Sequence, residues 1–287
     1  MSLLTATGAM LGLTFILATL LVLAYRTLSV YEDERIGVVE GLLPNVNCGG
    51  CGYPSCAMFA EALVGGNELP GTCTVSTNED RERIASFLGV DVGEEVKRVA
   101  RLACAGGNNV AVFRANYLGL KSCAAAAQIA GGGKECMWGC LGLADCETSC
   151  DFDAIHMNEN DLPVVNEEKC IACNDGVEAC PKDLFSIEPI SHQLWVACKN
   201  QEFGDQVIES CQVACTACER CAVDAPNIIS MQNNLPVIDY QKKITNRDAI
   251  ERCPTGAIVW INTDGKVEYG AMTKPVFRKE KLHARAT

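Results

Sequence analysis

Large core-filling side chains are scarce in this chain. Only 6% of its 287 residues are aromatic, and much of the 48% apolar fraction is Ala, Val and Cys. Cores built from such residues are small, so bound inorganic centres are expected to supply part of the folding energy, as structural metals do. Positive charge is also short: 24 Lys and Arg face 36 Asp and Glu, for a net charge of −12. That deficit argues against a nucleic-acid partner, since phosphate binding needs clustered cations. The three histidines, His156, His192 and His283, are too scattered to form a ligand cluster. No nucleophile-plus-base arrangement is visible. Gly131-Gly132-Gly133-Lys134 lacks phosphate-loop spacing and reads as a turn. Acidic pairs such as Glu167 and Glu168 read as solvated.

Charge is missing altogether from Leu3 to Tyr25. A helix of that length rises about 35 Å, enough to cross a hydrocarbon core of roughly 30 Å. No Lys or Arg precedes the run, so the positive start of a signal peptide is lacking. Arg26 follows directly and places the C-terminal side in the cytoplasm. The expectation is one uncleaved anchor in the cytoplasmic membrane, single-pass and in contact with lipid, with the soluble domains on the cytoplasmic side. Residues 26–40 then read as a polar linker, Asn78–Phe87 as a surface helix capped by Ser76 or Thr77, and Val96, Val99 and Leu102 as a strand or buried turn. Lys274–Arg285 is a basic tail.

Cysteine is abundant. Eighteen of nineteen lie between Cys48 and Cys221, in runs as tight as Cys215-Thr-Ala-Cys218-Glu-Arg-Cys221. In a reducing compartment such spacing points to metal or redox centres instead of disulfides. With the opposite orientation an exported disulfide scaffold would be the rival. Cys48, Cys51, Cys56 and Cys73 form a four-thiolate set threaded by Gly49, Gly50 and Gly52, with tetrahedral zinc as the alternative occupant.

From Cys123 the chain repeats. Adding 75 to Cys123, Cys136, Cys140 and Cys146 lands on Cys198, Cys211, Cys215 and Cys221. Each half carries a Leu-Pro-Val turn into a strand, at Leu162 and Leu235, and closes on Cys-Pro, at Cys180 and Cys253. Cys-x2-Cys-x2-Cys followed by Cys-Pro is the bacterial ferredoxin pattern, in which the fourth thiol of each run serves the other cluster. On that rule Cys215, Cys218, Cys221 and Cys253 are complete. Their partner set has become Ala225, Lys243, Asn246 and Ala249. In the first half Cys140, Cys146 and Cys180 lack a thiol at Leu143, and Cys150, Cys170 and Cys173 lack one at Gly176. Each three-thiolate site could take a [3Fe-4S] cluster, a [4Fe-4S] cluster with water, Asp145 or Asp175 at the odd iron, or nothing. Cys104 and the pairs Cys123/Cys136 and Cys198/Cys211 read equally well as ligands of a further cluster or as packed thiols.

An anchor, then Asn47-Cys48-Gly-Gly-Cys51-Gly-Tyr53-Pro-Ser-Cys56, then ferredoxin repeats, resembles the B subunit of the Rnf complex, the ion-translocating ferredoxin:NAD oxidoreductase. Cys136-Met-Trp-Gly-Cys140-Leu-Gly, Val177-Glu-Ala-Cys180-Pro181 and Cys253-Pro-Thr-Gly-Ala-Ile258 carry the likeness across nearly the whole chain. The chain departs from the family pattern at Leu143, Gly176, Ala225, Lys243, Asn246 and Ala249. The resemblance implies an electron relay from soluble ferredoxin toward flavoprotein and membrane subunits of the complex, through [4Fe-4S] clusters at the two complete four-thiol sets and two further three-thiol sites. A scaffold subunit with partly lost clusters is the alternative. The expected fold is α+β: an anchor (1–26), a four-Cys iron–sulfur domain (27–90), and duplicated ferredoxin-like domains (91–190, 191–287).

Overall fold

The structure, a computed structural model, describes residues 3–28, 33–93, 97–274, 276 and 282–283. It opens with α1 (Leu3–Leu28), an apolar helix whose Thr7–Arg26 stretch has no other part of the chain packed over it. A helix apolar on every side and uncovered by protein suits a hydrocarbon surrounding.

The supposed linker differs from expectation. Glu34–Leu42 form a helix, α2, entered through Asp33, whose carboxylate accepts the Arg35 amide at 2.9 Å. Ile36, Val39 and Leu43 recur at helical spacing and turn one face of α2 onto α3 (Cys56–Val64). The third helix of this unit, α4 (Asn78–Leu88), starts at Thr77, whose hydroxyl accepts the Asp80 amide at 3.2 Å. It is only half a surface helix, since Ile84 joins Val39, Phe59 and Leu63 in the core.

Two halves of similar build follow. In the first, β1 (Arg98–Leu102) pairs antiparallel with the distant β5 (Phe185–Pro189), with Ala100 opposite Ile187. Between them lie β2 (Val112–Phe113), α5 (Cys123–Gln128), α6 (Asp145–Thr148), the hairpin β3 (Ile155–Met157) and β4 (Pro163–Val165), and α7 (Asp175–Glu178). In the second, β6 (Leu194–Val196) pairs antiparallel with the distant β9 (Ile258–Ile261). Enclosed are α8 (Val207–Ser210), α9 (Arg220–Asp224), the hairpin β7 (Ile229–Gln232) and β8 (Leu235–Ile238), and α10 (Asp248–Glu251). The Leu-Pro-Val turns lead into β4 and β8, so the internal repeat extends to strand pairing. β10 (Val267–Glu268) widens the second sheet, and β11 (Leu282–His283), within the basic tail, runs parallel to β2.

The halves meet where the Trp195 indole Nε1 donates to the Leu102 carbonyl at 2.9 Å. Nearby, Glu167 corrects the expectation of a solvated acid: it pairs with Arg101, and the two side chains are only 12% and 7% exposed. A buried pair forfeits hydration, but removing one partner strands a charge. Glu167→Ala should therefore lower unfolding stability by about 3–5 kcal/mol, measured by denaturant titration. A double Arg101→Met/Glu167→Leu variant should recover most of that loss.

Candidate metal centres

The N-terminal thiols are held by turns and a helix start. The Gly52 amide donates to the Gly49 carbonyl at 2.8 Å, and both glycines have positive φ, +92 and +71. Asn47 presents its carboxamide oxygen to the Cys56 amide at 2.8 Å, and Ser55 caps the same helix through Met58. The Ser76 hydroxyl donates to Cys73 Sγ at 3.1 Å. Burial pushes the Cys51 thiol up, and the charges of Cys73 and Cys48 add to it. Cys51, Cys56 and Cys73 all border the Phe59–Leu63 core.

Three other loops share one backbone form. In Cys215–Cys221 the left-handed residues are Ala217 and Glu219, at φ 53 and 59. In 170–176 they are Ala172 and Asn174, at φ 61 and 78, and in 140–146 they are Gly142 and Ala144, at φ 72 and 67. Left-handed residues at the third and fifth positions curl the chain so that its amides face inward. Leu143 and Gly176 thus occupy loops that keep the wrap although a thiol is missing. The erased set is different: Arg247, the corresponding fifth position, has φ −106, and Ala225, Ala249 and Ile250 fill the space with an apolar cluster.

Cys215, Cys218, Cys221 and Cys253 line one cavity of about 360 Å³, open space at its mouth included. Burial pushes Cys215 and Cys221 up to about 11, with the other thiols of the set adding to it. Cys150, Cys170 and Cys173 line another of about 330 Å³ together with Gly176. There the Ala154 amide donates to Cys150 Sγ at 3.3 Å and the Ala100 amide to Cys170 Sγ at 3.4 Å. Burial pushes Cys173 up to about 12, and Asp175 contacts it through both backbone and side chain.

The sequence pairing of Cys123 with Cys136 does not hold in space. Cys123 begins α5 and joins Cys146 and Cys180: burial raises its thiol, Asp145 and Cys180 add to that, and the Asp145 and Leu143 amides donate to its sulfur. Burial pushes Cys146 up to about 12, with Cys123 the largest charge acting on it and Cys180 the next. Burial pushes Cys140 up to about 12, with Cys104 the largest charge acting on it and Cys123 a lesser one. The place left by Leu143 is thus approached by a thiol arriving from another segment. The Asp145 carboxylate sits beside Cys123 as well, accepting from the Ser122 hydroxyl at 2.9 Å and the Ala124 amide at 3.0 Å.

Cys136 goes the other way. It lines a cavity of about 310 Å³ with Cys104, Cys198 and Cys211. The glycine turn before it has positive φ at Gly131, Gly132 and Gly133 and sends Lys134 inward, a residue that spacing alone did not single out. Of the histidines, His156 lies exposed in β3 beside Glu147 and Asp153, and His192 stacks on Tyr240 at 3.7 Å. The side chain of His283 lies outside the described residues.

Among the described residues, no three His, Cys, Asp or Glu side chains converge as ligands of one ion do. The thiols ring voids instead. All-thiolate donors, inward amides and glycines permitting close approach fit an iron–sulfur centre, and this set of features defines an iron–sulfur protein. Residues 43–75 match a family model described as a putative Fe-S cluster.

The B subunit of the Na(+)-translocating ferredoxin:NAD(+) oxidoreductase complex of Acetobacterium woodii is 37% identical over 88% of this chain and 75% of its own length. The B subunit of the ion-translocating oxidoreductase complex of Methanosarcina acetivorans is 32% identical over 89% of this chain and 97% of its own. Its counterpart in the proton-translocating ferredoxin:NAD(+) oxidoreductase complex of Clostridium ljungdahlii is 35% identical over 83% and 86%. The chain belongs to the family of Rnf complex B subunits, those of the ion-translocating oxidoreductases.

Proposed function

We propose that this chain is the membrane-anchored electron relay of an Rnf-type complex, accepting electrons from reduced ferredoxin and delivering them toward flavoprotein and membrane subunits on the way to NAD. The observation that carries this reading is the retained wrap of the three inner loops around thiols that the family likeness assigns to clusters. Four sets would hold them: Cys48, Cys51, Cys56 and Cys73; Cys150, Cys170 and Cys173; Cys123, Cys140, Cys146 and Cys180; and Cys215, Cys218, Cys221 and Cys253. The paired strands and hairpins of the two halves support duplicated ferredoxin-like domains. Clusters held there supply reversible one-electron storage, at potentials tuned by burial and hydrogen bonds to sulfur.

The chain's own residues set the spacing. A Cβ at Gly50 would lie 2.8 Å from the Ile171 carbonyl oxygen, and Thr74 donates to that same oxygen at 2.8 Å. The Arg98 guanidinium donates to the Gly50 carbonyl at 2.9 Å. These contacts seat the N-terminal set directly against the 170–173 loop. Ser149 donates to the Cys146 and Asp175 carbonyls at 3.3 and 3.5 Å, tying the two inner sets of the first half together. Buried thiols must lose protons to bind iron, so cluster uptake releases protons. In this reading α1 crosses the cytoplasmic membrane once with Arg26 on the cytoplasmic side, and the chain converts no substrate of its own.

Iron and acid-labile sulfide counts on the anaerobically purified full chain, with paramagnetic resonance after reduction by ferredoxin, test the proposal. Two or more reducible cubanes support it. A chain without iron that carries disulfides, or one whose clusters ferredoxin cannot reduce, would leave only a scaffold. Deleting residues 1–26 should move the protein from the membrane to the soluble fraction with its iron count unchanged.

A further inference from the structure

We propose that Cys104, Cys136, Cys198 and Cys211 bind a further four-iron cluster that bridges the two halves; the assignment rests on the iron–sulfur reading of the chain. The four thiols come from four separate segments: after β1, before the 140–146 loop, after β6 and at the end of α8. Their spacing makes no motif, yet they line one cavity, close in size to those at the 215–221 and 170–176 loops.

Each sulfur there is met by donors. Cys104 Sγ accepts from the Gly106 and Cys140 amides, both at 3.4 Å. Cys198 Sγ accepts from the Asn200 amide at 3.4 Å and the Cys215 amide at 3.3 Å. The Trp138 and Gly139 amides face Cys136, and the Val213 amide faces Cys211. A Cβ at Gly106 would lie 3.1 Å from Cys211 Sγ and 3.6 Å from Cys104 Sγ, so glycine is what lets the chain pass these two sulfurs. Packed neutral thiols have little use for so many amides, whereas cluster thiolates accept several each and have their potential set by them.

Charge gives an independent reason. Lys134 is 4% exposed, and its ammonium is held by the Gly106 and Cys140 carbonyls, each at 2.5 Å. Among the described residues no carboxylate pairs with it. A buried cation without a counter-ion is costly, and four thiolates around a cluster carry the net negative charge that would offset it. Asn200, 1% exposed, turns its amide nitrogen toward Cys136 Sγ at 3.9 Å.

The position also closes the row. Cys140, whose amide meets Cys104, belongs to the Cys123–Cys146–Cys180 set, and Cys215, whose amide meets Cys198, belongs to the Cys218–Cys221–Cys253 set. One peptide group on either side separates the bridging site from its neighbours.

The test is iron content and paramagnetic resonance of the full chain in membranes. Wild type should hold roughly twenty irons, against roughly sixteen for the other four sets alone. Cys198→Ser/Cys211→Ser should lose about four irons and one reducible signal, while the remaining signals persist. Lys134→Met, with all cysteines in place, should keep the iron and lower one midpoint potential more than any other. Unchanged iron in the cysteine variant, or zinc in place of the missing iron, would overturn the bridging site and leave the relay standing. Should the cysteine variant lose every cluster, the Lys134→Met midpoints decide. Wild type without iron would instead remove the relay itself.

Discussion

Cys123→Ser is expected to cost the chain the cluster of Cys140, Cys146 and Cys180, and Cys123→Ser/Leu143→Cys is expected to restore it. The first outcome follows from Cys123 meeting Cys146 and Cys180 although it lies outside the run. The second follows from the backbone. Gly142 and Ala144 keep the left-handed φ of a four-thiol loop, so a cysteine at 143 would enter a wrap already formed. Electron transfer from reduced ferredoxin should fall at least as much as the roughly 100-fold that outer-shell changes bring at metal sites. Stopped-flow reoxidation of ferredoxin by the membrane complex reads the rate, and paramagnetic resonance reads the cluster. Transfer at the wild-type rate in Cys123→Ser, or a double variant as damaged as the single one, would show that Cys123 is only packed there.

Gly176→Cys should change the neighbouring site in the opposite sense, by completing it. Three thiolates leave one iron without protein sulfur, so the wild-type protein should develop a three-iron signal on mild oxidation. The variant should resist that conversion roughly tenfold or more. A Cβ at 176 would lie 2.7 Å from Ile155 Cδ1, the free end of a flexible side chain, so Gly176→Cys/Ile155→Val offers the roomier version. Asp175, already in contact with Cys173, is the oxygen donor nearest to hand, and Asp175→Ala should make the wild-type site more labile. A signal that never forms in wild type, with iron fully present, would mean that another group holds the fourth iron.

Much of this architecture was legible in the sequence because it is local. The run of apolar residues, the cap at Thr77, the Leu-Pro-Val strands and the Cys-x2-Cys-x2-Cys loop depend on neighbours within a few residues. The offset of 75 foreshadowed the match of β5 with β9, but it does not carry their partner β1 onto β6. What stayed hidden is long-range. Cys123 and Cys198 match at the offset of 75, yet in the fold Cys198 answers to Cys104: each follows the first strand of its half, and each sulfur accepts the amide two residues on and the amide of Cys140 or Cys215. Lys134 looked like the end of a turn, since three left-handed glycines that bury a cation are written like three that merely bend. Glu167 looked solvated because its partner Arg101 lies on a strand that only the fold brings near.

The apolar cluster at Ala225, Ala249 and Ile250 has a consequence for the relay as a whole. Where a second ferredoxin set would continue the series, the chain has installed an insulator. On the proposed relay, current reaching the Cys215–Cys253 set meets no further thiol set beyond it and would enter or leave at the surface. Cys218 is the exposed thiol of that set. On that reading the loss of four ligands gives the conductor a terminal, and an exchange partner would dock on the face that exposes Cys218.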